Sequence, residues 1–319
     1  MEEYKNVLIT GGCGFIGSNF INDIFENSNI NIINIDKLNY CGNEDNIKKE
    51  IRENKRYILY KVCLQNMNIV YDILENHNID LIIHFAAQTH VTRSFVNTGD
   101  FIKDNIIGSF NLLEAVKKYG KIKCMINFST DEVYGESYLE DIKGKTEKDK
   151  LEPTNPYAAS KASVEMIIKA YIYSYKLPIM TIRCNNVYGN NQYKEKVIPK
   201  FIYLLKNNKK ITIEGDGKNK RAFVHTNDVN RAILLILKHF KIGDIYNIGI
   251  NNEITIYELA KKMIKYIKNA DDFENYIEYI KDRNYNDKRY FIDYSKLKSI
   301  GWIPKKNFDK ELKNIIKDV

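Results

Sequence analysis

A glycine triplet set between an apolar strand and a helical run restricts this chain more than any other stretch. Val7-Leu8-Ile9-Thr10 reads as a short buried strand, and Gly11-Gly12-Cys13-Gly14-Phe15-Ile16-Gly17 follows it directly. Glycines at 11, 14 and 17 permit a tight turn, a close approach of backbone N–H groups to a pyrophosphate, and close packing of helix on strand. The next strand, Ile30 to Ile35, ends in Asp36. A carboxylate about 20 residues past the last glycine is placed to accept hydrogen bonds from adenosine ribose hydroxyls. Strand, glycines, helix, strand and acid in that order predict a dinucleotide site. Asp36 would repel a 2′-phosphate, which favours NAD over NADP.

Strand-like segments recur at Tyr57–Val62, Leu81–Phe85, Ile122–Phe128 and Ile179–Ile182, with helical patterns between them. Such alternation predicts an α/β fold, a Rossmann-type doubly wound parallel sheet covered on both faces. Residues 1–189 are expected to form the NAD-binding core. Residues 190–319, where the alternation becomes irregular, are expected to form predominantly a smaller substrate-binding region, with later segments returning to the core. Asp100 to Tyr119 reads as one long helix. At 319 residues and 44% apolar content the chain can bury a large core. No stretch reaches the apolar length of a membrane span, and Met1-Glu2-Glu3-Tyr4-Lys5 leads straight into a strand, so a soluble cytoplasmic setting is expected. The five cysteines are scattered and never at metal-ligand spacing, which argues against a disulfide framework and against a metal site. The charge of +8 is spread along the chain, not gathered into a basic arm, so it gives no sign of nucleic-acid binding.

The chemistry is expected where the apolar run Met125-Ile126-Asn127-Phe128 meets Ser129-Thr130-Asp131-Glu132-Val133-Tyr134-Gly135. Strand ends of parallel sheets are where open α/β folds place ligands. Neighbouring residues on a straight strand point to opposite faces, so Asp131 and Glu132 converge on one substrate only if the chain is already leaving the strand, and Gly135 is consistent with such a bend. Further on, Pro153-Thr154-Asn155-Pro156-Tyr157 opens a helix on which Tyr157 and Lys161 share one face. A cationic Lys161 is expected to lower the Tyr157 phenol pKa, fitting it to take a hydroxyl proton as hydride departs. The chain holds five Tyr-x-x-x-Lys pairs, and only the one at Tyr157 starts a helix shortly after a strand ending in Ser-Thr. His84 and His90 read as satisfied structural histidines. Lys196 and Arg221, near turns, are candidates for a diphosphate clamp, with arginine giving bidentate contacts.

Together these residues resemble the extended short-chain dehydrogenase/reductase family, and within it the nucleotide-sugar 4,6-dehydratases of the dTDP-glucose 4,6-dehydratase type. The motifs "TGGCGFIGSNF", "DKLNYCGN", "FAAQTHVTRS", "STDEVYG", "NPYAASKA", "RCNNVYG", "EKVIP", "GDGKNKR", "YNIG" and "DRNYNDKRYFID" follow the family's landmarks in order. The resemblance implies conversion of dTDP-glucose or UDP-glucose to its 4-keto-6-deoxy product: oxidation at C4, loss of water across C5 and C6, and hydride return to C6. It implies Tyr157 as the C4 base, assisted by Thr130 and Lys161, with Glu132 as the C5 base and Asp131 as the acid at C6. It places Gly11, Gly14, Phe15, Ile16 and Gly17 on the NAD, followed by Asp36, Lys37 and Asn39, then Cys63 and Leu64, and then Phe85, Ala86, Ala87 and Thr89, with Tyr157 and Lys161. Thr130, Asn186, Glu195, Lys196, Arg221 and Asn252 are implied around the nucleotide sugar. A homodimer pairing helices near 101–119 and 155–175 is implied as well. Cys63 stands where the family usually has an acid, Glu214 where it has an aromatic, and Asn286 where it has a histidine.

Two other readings use the same residues differently. A nucleotide-sugar epimerase or decarboxylase would employ NAD, Tyr157 and Lys161 but leave Asp131 and Glu132 without a task. A non-catalytic NAD-sensing or nucleic-acid-binding protein would have no use for Thr130, Tyr157 and Lys161 together.

Overall fold

The structure, a computed structural model, describes residues 3–318; Met1 and Glu2, where the N-terminal stretch begins, lie outside the described residues. Its twelve strands are β1 (Asn6–Thr10), β2 (Asn31–Ile35), β3 (Tyr57–Tyr60), β4 (Leu81–His84), β5 (Cys124–Thr130), β6 (Ile179–Cys184), β7 (Asn186–Tyr188), β8 (Ile211–Glu214), β9 (Lys220–His225), β10 (Ile245–Ile248), β11 (Glu253–Thr255) and β12 (Ile277–Ile280). Seven of them form one parallel sheet in the order β3-β2-β1-β4-β5-β6-β10. The order reverses between β1 and β4, and a crevice opens there at the carboxyl ends of the strands.

Successive strand residues feed opposite cores, as the pleat requires. Leu8, Ile33, Ile82 and Met125 pack on Val70, Leu112, Val116, Val164 and Ile168 of the helices on one face. Val7, Ile9, Ile32, Ile83 and Ile126 pack on Phe20, Ile21, Ile24, Val229 and Ile233 on the other. Both faces being covered explains the near-continuous apolar runs in these strands. Two small sheets complete the chain: β9 lies between antiparallel β11 and parallel β7, and β12 pairs parallel with β8. Around them Phe201, Ile211, Ile213, Leu259, Met263, Ile277 and Leu312 form a separate core. Among the described residues of this later part, only β10 joins the main sheet.

The expected single helix over 100–119 is corrected. The chain runs as a short α-helical turn Thr98–Phe101, a π-helical stretch Ile102–Ile107 and an α-helix Gly108–Tyr119. A widened turn of this kind changes which side chains face inward. Asn105 is 1% exposed, accepts the Gln88 N–H at 2.7 Å and donates to Ser160 Oγ at 2.8 Å. It thereby fastens the segment after β4 to the helix Pro156–Tyr175. Among the described residues no helix is long and apolar enough to cross a membrane.

Gly11 sits at the crossing of β1 and β4 with φ +70°, and a Cβ there would lie 2.7 Å from both Cα and N of Ala86. Left-handed backbone on a non-glycine residue costs about 1–3 kcal/mol before any clash is counted. Gly11→Ala is therefore expected to lower stability by at least about 1 kcal/mol. A urea unfolding midpoint unchanged from wild type would contradict this.

Candidate active site

One cleft lies over the carboxyl ends of β1, β2, β4, β5 and β6. Its near end is lined by Gly11, Gly14, Phe15, Ile16 and Gly17, its floor by Asp36, Lys37, Asn39, Cys63 and Leu64, and its middle by Phe85, Ala86, Ala87 and Thr89. Gly17 is held to glycine because an added Cβ would lie 2.5 Å from the Gly11 carbonyl oxygen. Asp36 is oriented by two backbone donors, Cys13 N–H to Oδ2 at 2.9 Å and Leu38 N–H to Oδ1 at 2.8 Å. Burial raises the Asp36 pKa and these two donors oppose the rise. A narrow glycine turn and a preset carboxylate at the ends of adjacent strands form a cradle for a dinucleotide.

At the far end, β5 stops at Thr130 and a 3₁₀ turn, Asp131–Tyr134, begins at once. Thr130 Oγ1 caps that turn by accepting the Glu132 N–H at 3.3 Å. Gly135 ends it at φ +78°, with the Glu152 carbonyl 2.2 Å from where a Cβ would stand. The bend expected from the sequence is present, and it sends the two acids to different surroundings. Glu132 lines the cleft, its Oε2 accepting Asn155 Nδ2 at 2.9 Å and the Tyr290 hydroxyl at 3.2 Å. Asp131 lies beneath the wall, 2% exposed, with Asn185 Nδ2 donating to Oδ2 at 2.5 Å and the Thr130 hydroxyl to Oδ1 at 3.2 Å. Burial first, and the neighbouring Glu132 charge second, push the Asp131 carboxyl up to about 7.

Tyr157 and Lys161 line the same cleft. Asn155 caps their helix, its Oδ1 accepting the Ala158 N–H at 2.9 Å, and Pro156 starts it. Lys161 Nζ donates to the Phe128 carbonyl at 2.8 Å, and burial lowers its pKa to about 8 against the opposing charge of Glu165. The expectation of a phenol pKa lowered by Lys161 is corrected. Burial and then the Glu132 charge raise Tyr157 above the ordinary phenol range, with the Thr130 hydroxyl opposing. The reason is the dry setting, which disfavours phenolate more than a lysine engaged on a carbonyl can offset.

The proposed substrate residues divide. Thr130, Asn186, Glu195 and Lys196 line the cleft. Lys196 Nζ donates to the Thr89 carbonyl at 2.9 Å, and Glu195 lies 3.6 Å from His90. Arg221 does not join Lys196. Its Nη2 donates to the Asp287 carbonyl at 2.8 Å and its guanidinium lies 4.6 Å from the centre of the Tyr290 ring. Asn252 does not line this cleft but a neighbouring pocket, with Glu253, Glu258 and Phe308. His84 is structural as expected: Nδ1 bonds the Thr10 hydroxyl at 2.6 Å, Nε2 the Ser109 hydroxyl at 2.9 Å, and burial takes its pKa down to about 3. His90 caps the helix Val91–Val96 by accepting the Arg93 N–H. The sequence reading missed Asn155, Asn185 and Tyr290, the partners of the two acids. Asn155 carried a local signal, an N-cap residue ahead of proline. Asn185 and Tyr290, 54 and 158 residues from their partners, carried none.

This fold, with a glycine turn, an acid and a Tyr-x-x-x-Lys helix on one cleft, defines a Rossmann-type protein of the short-chain dehydrogenase/reductase class. The chain belongs to the GDP-mannose 4,6-dehydratase family, whose model matches residues 8–315. It is 41% identical over 317 residues to the human dTDP-D-glucose 4,6-dehydratase, covering 98% of this chain and 89% of that one. It is 42% identical over 310 residues to the trifunctional UDP-glucose 4,6-dehydratase/UDP-4-keto-6-deoxy-D-glucose 3,5-epimerase/UDP-4-keto-L-rhamnose-reductase RHM2 of Arabidopsis thaliana. That match takes in 97% of this chain, which spans only 46% of the plant protein's length. Among solved structures, the dTDP-glucose 4,6-dehydratase DesIV of Streptomyces venezuelae, crystallised with NAD bound, superposes with a TM-score of 0.92 at 33% identity, covering 98% of this chain and 96% of that one.

Asp131 supplies a test of the site's electrostatics. Its folded-state pKa lies above the ordinary value of 3.8, so the stability tied to its neutral form is complete below that value and is lost as pH rises through about 7. At ~1.4 kcal/mol per pH unit, Asp131→Asn should gain about 3 kcal/mol on wild type between pH 5 and pH 8. Calorimetric unfolding at the two pH values measures it. An equal difference at both would show that the carboxyl is not held neutral.

Proposed function

We propose that this protein is an NAD-dependent nucleotide-sugar 4,6-dehydratase, converting dTDP-glucose or UDP-glucose to the 4-keto-6-deoxy sugar. The observation that carries the reading is the different surroundings of two adjacent carboxylates beside a Tyr-Lys pair: Glu132 on the cleft wall, and Asp131 more deeply buried next to it with its pKa raised to about 7. Environments that push two carboxyls apart assign the acid and the base. The glycine cradle and the preset Asp36 fit NAD. NAD⁺, when bound, supplies a reversible acceptor for hydride taken from C4 and given back at C6, and a positive charge that favours the Tyr157 phenolate.

The chain's own residues then handle protons. Tyr157 takes the proton of the C4 hydroxyl. The resulting 4-keto group acidifies C5, Glu132 takes the C5 proton, and Asp131 protonates the C6 hydroxyl as it leaves as water. Tyr157 has then gained one proton and Asp131 has lost one. The Thr130 hydroxyl, bonded to Asp131 Oδ1 at 3.2 Å and set against Tyr157, is the bridge by which that difference closes. Asn186, Glu195 and Lys196 are assigned to the nucleotide sugar, and Arg221 to a supporting position behind Tyr290. Residues 1–189 are assigned mainly to NAD and 190–319 mainly to the nucleotide sugar. A cytoplasmic homodimer is proposed, supported by exposed Ile102, Ile107, Phe110, Met166 and Tyr173 on the two helical stretches that the family resemblance pairs.

The test follows deuterium from C4 of dTDP-glucose or UDP-glucose. Relocation to C6 with loss of water is expected, whereas an epimerised hexose would replace this reading with its rival. Glu132→Gln and Asp131→Asn should each cut dehydration by about 10²–10⁴-fold while NAD stays bound. Full turnover by either variant would remove the acid–base assignment.

A further inference from the structure

Glu132 is tied, away from the cleft, to groups that the elimination chemistry leaves without a task. Both of its hydrogen bonds, from Asn155 and Tyr290, fall on Oε2, and Oε1 takes none among the described residues. The Tyr290 hydroxyl is also hydrogen-bonded to Asp287 Oδ2. Asp287 is 1% exposed, and its other oxygen accepts the Thr154 hydroxyl at 2.6 Å. Thr154 is only half-buried, so the line Glu132, Tyr290, Asp287, Thr154 leads from the cleft wall towards solvent.

Counting hydrogens gives this line a function. A phenol carries one proton, and Tyr290 faces two carboxylates that can only accept when ionised. With Glu132 ionised, one of the two contacts lacks a proton. With Glu132 protonated, both are made: Glu132 donates to Tyr290, and Tyr290 donates to Asp287. The arrangement is matched to the one additional proton that Glu132 acquires during elimination. Arg221 fixes the geometry, its guanidinium against the Tyr290 ring and its Nη2 on the Asp287 carbonyl.

We infer that Tyr290 and Asp287 form a proton relay that carries the C5 proton from Glu132 to solvent and brings a solvent proton back. The inference rests on the dehydratase reading above. As the C5–H bond breaks, its proton joins Glu132 Oε1 and its electron pair expels the C6 oxygen, which leaves as water with the Asp131 proton. A half-turn of the Glu132 carboxyl, about a torsion with broad two-fold freedom, presents the acquired proton to Tyr290. Tyr290 accepts it while passing its own to Asp287, so Glu132 is again ionised, Tyr290 neutral and Asp287 protonated. Asp287 exchanges that proton with water by way of Thr154. The reverse sequence protonates C5 when hydride arrives at C6.

Tyr290 and Asp287 act through Glu132 and are positioning residues, so the test reads an isotope, not a rate. In D₂O, with substrate carrying protium at C5, wild-type product should hold deuterium at C5 almost completely. Asp287→Asn and Tyr290→Phe should retain the substrate's C5 protium several-fold more often than wild type, while label still moves from C4 to C6. Asp287→Glu should restore the exchange. Thr154→Val, which leaves Tyr290 and Asp287 in place, should also raise protium retention and serves if the other two variants do not turn over. Deuteration as complete in the variants as in wild type would mean that Glu132 exchanges directly with cleft water, and would overturn the relay. A wild-type protein that moves no label and loses no water would instead remove the dehydratase reading, before any variant is compared.

Discussion

Strand β5 runs through the buried middle of the sheet and stops where the Thr130 side chain takes the backbone N–H of Glu132. Had the strand continued, Asp131 and Glu132 would face opposite layers of the protein. The 3₁₀ turn instead puts Glu132 on the cleft wall and leaves Asp131 beneath it against Asn185. An ionised carboxylate in that lower position must give up water for one amide and one hydroxyl, an exchange that favours the neutral acid. The two carboxyls thus differ because of a single backbone turn, and the proposed division into acid and base follows from it.

The frame around that turn is polar and fully buried. Glu165 and Arg183 pair at 2.6 Å with side chains 4% and 3% exposed, and Ser129, next to Thr130, donates to Glu165 at 2.6 Å. Arg183 reaches on to the Tyr134 hydroxyl at 2.7 Å, and Tyr134 to Asn247 of β10 at 2.9 Å. Such a network is costly to break one member at a time, because a lone charge would be stranded without water. It binds the helix carrying Tyr157 and Lys161 to β5, β6 and β10 from one side, while Asn105 of the π-helical stretch holds that helix from the other. The cleft is open to ligands, but the groups on its wall are held from behind.

Much of this was legible in local patterns. The glycine turn, the strand ending in Asp36 and the Tyr157 helix are short-range features whose meaning survives in any compact fold, and the structure gathers them on one cleft. Periodicity failed where the backbone departs from its regular repeat. It gave no sign of the π-helical stretch at 102–107, and it placed the start of β5 two residues early, at Ile122 in place of Cys124. Residue type failed where charge depends on burial. Lys161 was expected to draw the Tyr157 phenol down, yet the dry surroundings and Glu132 raise it. Arg221 was expected to clamp a diphosphate from its place near a turn, and no local pattern signalled its packing on the Tyr290 ring and the Asp287 carbonyl.

The sequence by itself determined the doubly wound parallel sheet and which residue types reach its carboxyl edge, since these follow from hydropathy, glycine placement and the alternation of strand and helix patterns. Only the tertiary structure decided how protons are held there. Asn185, Asp287 and Tyr290 meet Asp131 and Glu132 from distant parts of the chain. A carboxyl's affinity for its proton is set by the water it has lost and the donors it has gained, and both are properties of packing that no local stretch of sequence records.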